Sequence, residues 1–360
     1  MAGIAGFSGV AAGADRFRFA PRCQGGRLST SPVTIVFAEM PEAAGRDLSI
    51  ERQHLPAAAR IENFTYSGDQ DALVAACREA SAILTDYVPF NRAVLERLEH
   101  CRIISVAATG WDCVDVQAAA ERGIRVSCVG EYCTDEVADH TLALLLALNR
   151  HLLPYHRQVQ ADRSWRWNEI HGVQRLAGQT LGLVGFGRIG QAVCRRALGF
   201  GLRVLVCDPL VDALTAGRLG AHPSGLEELL AESDIISLHC NVNATNRGLL
   251  NRAAFALMRR KPLLLNVARG GLIVEPDLVE ALDRGLVAGA ALDVLAQDSP
   301  DLLHHPLAGR DDVLLTPHVA FYSESALADL RRISAQNIRA FLEGRPDEVF
   351  RLVSPTEGAT

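Results

Sequence analysis

The chain has 360 residues, 49% hydrophobic and 22% charged, an ordinary globular composition with room for two domains. A formal net charge of -6 gives no footing for non-specific nucleic-acid binding, and a single lysine, Lys261, excludes a Walker phosphate loop and most Schiff-base chemistry. Nine cysteines, an odd count without a C-x-x-C pair, point to a reducing cytoplasm rather than a disulfide scaffold or a bound metal, and no long uncharged apolar run suggests a membrane span.

Residues 1–31 are rich in Gly, Ala, Ser and Arg and lack the pattern of a secretory signal, so a flexible leader is expected. Strands are predicted over 33–38, 82–85, 103–107 and 126–128, alternating with helices over 72–80, 91–98 and 114–122. That rhythm predicts a first α/β domain with a parallel sheet. Residues 134–158 are apolar nearly all round between Thr141 and Leu148, which predicts one buried helix linking two domains or two subunits. Residues 163–178, with Trp165 and Trp167, read as an irregular crossover.

A second α/β domain starts at Thr180. Residues 181–190 read L-G-L-V-G-F-G-R-I-G, a strand running into a tight turn with a helix opening near Gly190. A second strand, 204–207, ends on Asp208. This is the layout of a dinucleotide site: Gly185 for the turn, Gly187 for close approach of a pyrophosphate, Gly190 for helix packing. Arg188 either adds a charged contact or faces solvent. A carboxylate at Asp208 suits two ribose hydroxyls and repels a 2'-phosphate, which favours NAD; the alternative is a turn-capping acid.

Further strands are predicted over 235–239, 263–267, 289–292 and 313–315, with helices over 225–230, 252–259, 275–284 and 323–342. The last helix follows the final strand of the nucleotide domain, so it is expected to return to the first domain and make that domain discontinuous. The expected division is 32–132 with 320–348 for the substrate domain, 133–319 for the NAD-binding domain with its linking helix, and 349–360 for a flexible tail. Arg269, before Gly270 and Gly271, is aimed out of a strand end and suits a carboxylate and a neighbouring carbonyl, with a surface arginine in a glycine turn as the alternative. His318 in T-P-H follows the last strand and suits proton transfer, with a satisfied core histidine as the alternative. Asp298 is the candidate partner for its second ring nitrogen. Asp293 could accept from a nicotinamide carboxamide or cap the turn that follows. His239, Ile189, Val267 and Ala268 complete the candidate cofactor-contacting set; no metal site is expected.

Together A-T-G-W-D-C-V-D, G-F-G-R-I-G, N-V-A-R-G-G, A-L-D-V and T-P-H resemble the D-isomer-specific 2-hydroxyacid dehydrogenase family, over about 33–346. The resemblance implies a flavodoxin-like substrate domain interrupted by an inserted Rossmann-like NAD-binding domain, both with parallel sheets, and a homodimer. It implies that Arg269 binds the substrate carboxylate and carbonyl, that His318 is the proton donor and acceptor, and that the backbone at Thr109 and Gly110 cradles the carboxylate. The family's usual histidine partner is a glutamate; this chain has the shorter Asp298, followed by Ser299 before Pro300. C-N-V-N-A-T-N, A-R-G-G-L-I-V and T-P-H-V-A-F-Y-S-E resemble the C-terminal binding protein branch, in which a tryptophan often stands where this chain has Phe321. The expectation is NAD-dependent interconversion of a small 2-keto acid and its D-2-hydroxy acid, with Phe321 as an aromatic wall or as plain core. The alternative is a non-catalytic, NAD-sensing interaction protein.

Overall fold

A computed structural model describes residues 33–297 and 299–353. The expected leader, residues 354–360 of the expected tail, and Asp298 lie outside the described residues. Five strands, β1 (Thr34–Glu39), β2 (Arg60–Thr65), β3 (Ala82–Thr85), β4 (Ile103–Val106) and β5 (Arg125–Ser127), make an all-parallel sheet in the order β2-β1-β3-β4-β5. This is flavodoxin order. β3 and β4 are buried along their whole length, as strands covered by helices on both faces must be. β2 is the strand that sequence reading missed. It is an edge strand, R-I-E-N-F-T, with charged and polar residues in the run and no fully buried position.

Seven strands make the second sheet, also all parallel: β6 (Thr180–Val184), β7 (Arg203–Cys207), β8 (Ala221–Pro223), β9 (Ile235–Leu238), β10 (Leu263–Asn266), β11 (Gly289–Leu292) and β12 (Val313–Leu315). Their order is β12-β11-β10-β9-β6-β7-β8. It reverses between β6 and β9, and in open α/β sheets ligands bind in the crevice beyond the strand ends at that point. The short edge strand β8 and the helix Ala213–Arg218 before it were also missed from sequence.

The expected single helix over 134–158 is two helices, Thr134–Asn149 and Leu152–Gln160. Pro154 accounts for the break. In a continuous helix its ring would meet the carbonyl of Arg150, and it has no N–H to donate. His151 makes the corner in the left-handed region at φ 51°. The linking helix Thr134–Asn149 packs on the helix Arg188–Gly199 and against β10 and β11. Arg196 on the second helix bonds both Asp135 and Asp139 on the first.

The last helix, Glu324–Leu342, returns to the first sheet. Ser323 caps it by accepting from the Ala326 N–H. Leu330, Ala335, Ile338 and Leu342 pack against Ile35, Phe37, Leu84 and Ile103, and each fully buried aliphatic side chain contributes roughly 1.5–3 kcal/mol. The chain beyond it is tied down further than expected. Leu352 bridges Ser127 antiparallel, and the Val353 N–H bonds the Val126 carbonyl at 2.9 Å.

One buried ion pair fixes that return. Glu51 is fully buried and accepts from Arg331 Nε at 2.7 Å and from a terminal guanidinium nitrogen at 2.6 Å. Arg331→Met should therefore lower the unfolding free energy by about 3 kcal/mol, because the buried carboxylate is left alone. Urea unfolding checks the loss, and turnover per folded molecule should be retained.

Candidate active site

The loop after β6 is explained in part by the protein itself. Gly185 has φ +94°, and a Cβ there would lie 2.7 Å from Cys240 N and from the His239 carbonyl carbon. A Cβ on Gly190 would lie 2.4 Å from the Gly185 oxygen. Gly187 differs. Its φ of -67° suits any residue, and a Cβ there meets nothing within 4 Å. It is the N-cap of the helix Arg188–Gly199, which opens earlier than expected and has no side-chain cap. The open face of that helix end, lined by backbone N–H groups and bearing the positive end of the helix dipole, fits a pyrophosphate.

Asp208 faces this loop. Its carboxylate accepts from Phe186 N at 2.7 Å and from Leu210 N at 2.9 Å, and each oxygen keeps a further lone pair. Arg188 turns instead to Glu131, at 2.5 Å, and lies over the Phe350 ring, at 5.8 Å. Both partners are outside the nucleotide sheet. Ile189 packs against the core. His239 follows β9 at the switch point, where Ser237 Oγ meets its Nε2 at 2.8 Å. Its Nδ1 is enclosed without a hydrogen-bond partner, although the residue as a whole is only half-buried. Burial pushes the imidazole down to about 3, so the ring is neutral at pH 7. An enclosed polar atom of this kind, at the mouth of the switch point, fits a polar group of a bound nucleotide.

Arg269 leaves the end of β10 on a turn built by Asn266. The buried Asn266 amide donates to the Arg269 carbonyl at 2.9 Å and accepts from Ala268 N at 3.0 Å. Val267 is buried and Ala268 packs on the core beside it. Gly270 presses on the neighbouring loop: a Cβ there would stand 1.8 Å from the Leu295 oxygen. The guanidinium reaches the other domain, where a Cβ on Gly110 would lie 2.9 Å from Arg269 Nη2 and 3.0 Å from Asp112 Oδ2. Thr109, next to it, lies beside the Cys133 thiol.

His318 stands in the left-handed region at φ 52°, which is uncommon for a residue with a Cβ. Asp293 holds it there. The Asp293 carbonyl accepts from the His318 N–H at 2.8 Å. Its buried carboxylate accepts from Val319 N and Ala320 N, each at 2.9 Å, and from Thr316 Oγ1 at 2.5 Å. The Asp293 carboxylate caps the turn that follows, while Oδ2, with a single donor, keeps a lone pair for the other reading. Phe321 meets the His318 ring edge to face at 6.2 Å and Tyr132 at 6.4 Å. Asp298 lies outside the described residues. The loop leading to it is held by Glu275, which accepts from Ala296 N at 2.7 Å.

Tyr132 was missed from sequence. It sits in the field of Arg269, beside Cys133, and meets Phe321 edge to face, joining the arginine side of the cleft to the histidine side. Burial pushes its phenol up, so it stays protonated. Its position just before the linking helix was the one signal available. Asp112 and Asn266 were also missed; Asn266 could have been found as a lone polar residue closing an apolar strand.

Residues 142–320 match the family described as D-isomer specific 2-hydroxyacid dehydrogenase, NAD binding domain. The chain is 34% identical to a hydroxypyruvate reductase of Blautia hydrogenotrophica over 286 residues, 78% of this chain and 88% of that one. It is 31% identical to a glycerate dehydrogenase of Methylorubrum extorquens over 318 residues, 83% of this chain and 97% of that one. The chain belongs to the D-isomer-specific 2-hydroxyacid dehydrogenase family. A D-lactate dehydrogenase from Aquifex aeolicus, solved with NAD and lactic acid, superposes with a TM-score of 0.77 at 25% identity, over 89% of this chain and 98% of that one. As a member of this family the protein is an NAD-dependent oxidoreductase that interconverts 2-keto and 2-hydroxy acids. Both curated relatives are named for enzyme activities, and the alternative without turnover is set aside. No helix among the described residues is long and apolar enough to cross a membrane.

Two outcomes are expected for this dehydrogenase. Gly187→Ala should weaken NADH binding at least about tenfold while shifting the apo melting temperature little, since the new methyl meets only open space. Fluorescence titration and thermal unfolding separate the two. The neutral His239 resists a proton that the unfolded chain binds below its ordinary value of 6.5. Stability should therefore fall as pH drops from 6.5 toward 3, by about 1.4 kcal/mol per unit from this group. Urea unfolding at pH 7, 6 and 5 should show that slope reduced in His239→Asn.

Proposed function

We propose that the protein reduces a small 2-keto acid with NADH in the cleft between its two sheets, with Arg269, His318 and Asp298 as the reacting residues. The observation that carries this reading is the approach of the Arg269 guanidinium to Gly110, which puts a fixed positive charge beside the backbone of Thr109 and Gly110. A planar guanidinium can hold the substrate carboxylate bidentately and polarise the adjacent ketone. NADH held by the glycine loop and Asp208 would supply the hydride to C2. His318 delivers a proton to the oxygen on C2 as it gains charge, and Asp298 stabilises the imidazolium. Phe321 and Tyr132 wall the site and exclude water, which strengthens the charge interactions inside it.

Gly185, Gly187 and Gly190 with the following helix end would hold the pyrophosphate, and Asp208 the adenosine ribose. Its negative charge supports NAD over a 2'-phosphorylated cofactor. His239, Val267 and Ala268 would line the nicotinamide side. Arg188 has a weaker claim, because Glu131 and Phe350 already hold its guanidinium.

Among substrates, hydroxypyruvate is the first candidate. It and glycerate are the two ends of one 2-keto/2-hydroxy couple, and they name two of the relatives described above. A homodimer is supported by the crossover after the helix Leu152–Gln160. Trp165 and Trp167 are 87% and 85% exposed there, on an arm held by the Tyr155 hydroxyl at 2.9 Å from the Trp167 carbonyl and by Gln158. Large aromatic side chains on an ordered arm suit burial against a second copy. Nine cysteines without a C-x-x-C pair support a reducing cytoplasm.

His318→Ala should lower kcat for hydroxypyruvate reduction by about 100-fold or more, the usual contribution of a positioned proton donor, with NADH affinity within twofold of the parent. Stopped-flow and fluorescence titration measure both. Unchanged turnover would sink the assignment.

A further inference from the structure

We infer that His140, on the linking helix, is a positioning residue for His318 and acts on it through Thr316 and Asp293. The inference rests on the proposed role of His318. His140 Nε2 lies 3.2 Å from Thr316 Oγ1 and 3.6 Å from Asp293 Oδ1. Thr316 Oγ1 in turn lies 2.5 Å from Asp293 Oδ1.

The protons can be assigned by counting. The Thr316 hydroxyl has one hydrogen, and the buried carboxylate, already accepting from Val319 N and Ala320 N, can only accept. The hydroxyl hydrogen therefore points to Asp293. His140 must then donate its Nε2–H to the remaining lone pair of the hydroxyl oxygen. The threonine is locked between a donor and an acceptor, and its backbone cannot rotate freely. Its carbonyl receives the His318 N–H at 3.0 Å, shared with the Asp293 carbonyl.

The left-handed backbone of His318 makes this lock matter. Such a conformation is unfavourable for a residue with a Cβ and persists only where the surroundings over-determine it. Asp293 contributes to that determination through its carbonyl on the His318 N–H and its carboxylate on the next two N–H groups. Its carboxylate is aimed by Thr316, and Thr316 by His140. Loss of the His140 donor leaves Thr316 and Asp293 free to shift, and an imidazole displaced by a fraction of an ångström transfers a proton less well. His140 touches no reacting group, so its effect should fall on turnover rather than on cofactor binding.

The test is steady-state kinetics on the full-length protein with hydroxypyruvate and NADH. His140→Ala should lower kcat about tenfold, with NADH affinity within twofold of the parent. Thr316→Val should give a similar loss, and the double variant should be no worse than Thr316→Val alone, since both cut one chain of contacts. His140→Gln, which restores an N–H donor, should recover most of the loss, and Thr316→Ser should stay near the parent; these two keep the question answerable if the harsher variants fold poorly. In a His318→Ala background, His140→Ala should add nothing. An unchanged kcat in His140→Ala, multiplying losses in the double variant, or no recovery in His140→Gln would overturn the inference. If His318→Ala itself turns over normally, the underlying site assignment fails instead.

Discussion

The buried carboxylate of Asp293 carries the arrangement on which the site depends. It lies at the end of β11 and bonds a loop that comes from the end of β12, so two neighbouring strand ends are fastened to each other. A carboxylate taken out of water is tolerated only with enough donors to replace it. Here a hydroxyl and two backbone N–H groups do so, all drawn from residues 316–320. The desolvated charge and the strained loop stabilise each other. Neither would be favourable alone, which is why the loop has one shape.

The same economy is visible in the linking helix. It is buried on several sides, yet its polar residues are spent on three different elements. Asp135 and Asp139 hold the helix that opens the cofactor loop, Glu136 holds the Ser323 cap of the returning helix, and His140 holds Thr316. The cofactor helix, the substrate domain's last helix and the histidine loop are thus referenced to one rigid rod. Hydride and proton transfer need the groups on those elements in register at once.

Most strands of both sheets were legible because central parallel strands are buried on both faces and read as apolar runs closed by glycine or proline. Arg269 and His318 stood out for a related reason: each follows such a run, and Gly270 or Pro317 marks the turn. β2 and β8 were not legible, since edge strands carry polar residues that blur the pattern. The break at His151 was visible in principle through Pro154, but the apolar stretch before it dominated the reading. His140, Tyr132 and Asp112 could not be found from spacing. Their significance lies in contacts made across the fold, as between His140 and Thr316, 176 residues apart.

Asp208 illustrates how specificity and structure become coupled. From sequence it was either a ribose ligand or a turn cap, and its geometry makes it a cap without disqualifying it as a ligand. Its two oxygens receive the N–H groups of Phe186, inside the glycine turn, and Leu210, beyond β7. The charge that would repel a 2'-phosphate also holds the loop proposed to cradle the pyrophosphate. Replacing it with a small neutral residue to admit the phosphorylated cofactor would remove a strong acceptor from both N–H groups. The loop would lose its reference to β7 together with the carboxylate proposed for the ribose. In this fold, cofactor preference is a property of the whole turn, and a useful switch would have to supply new acceptors for Phe186 and Leu210 along with a new cation.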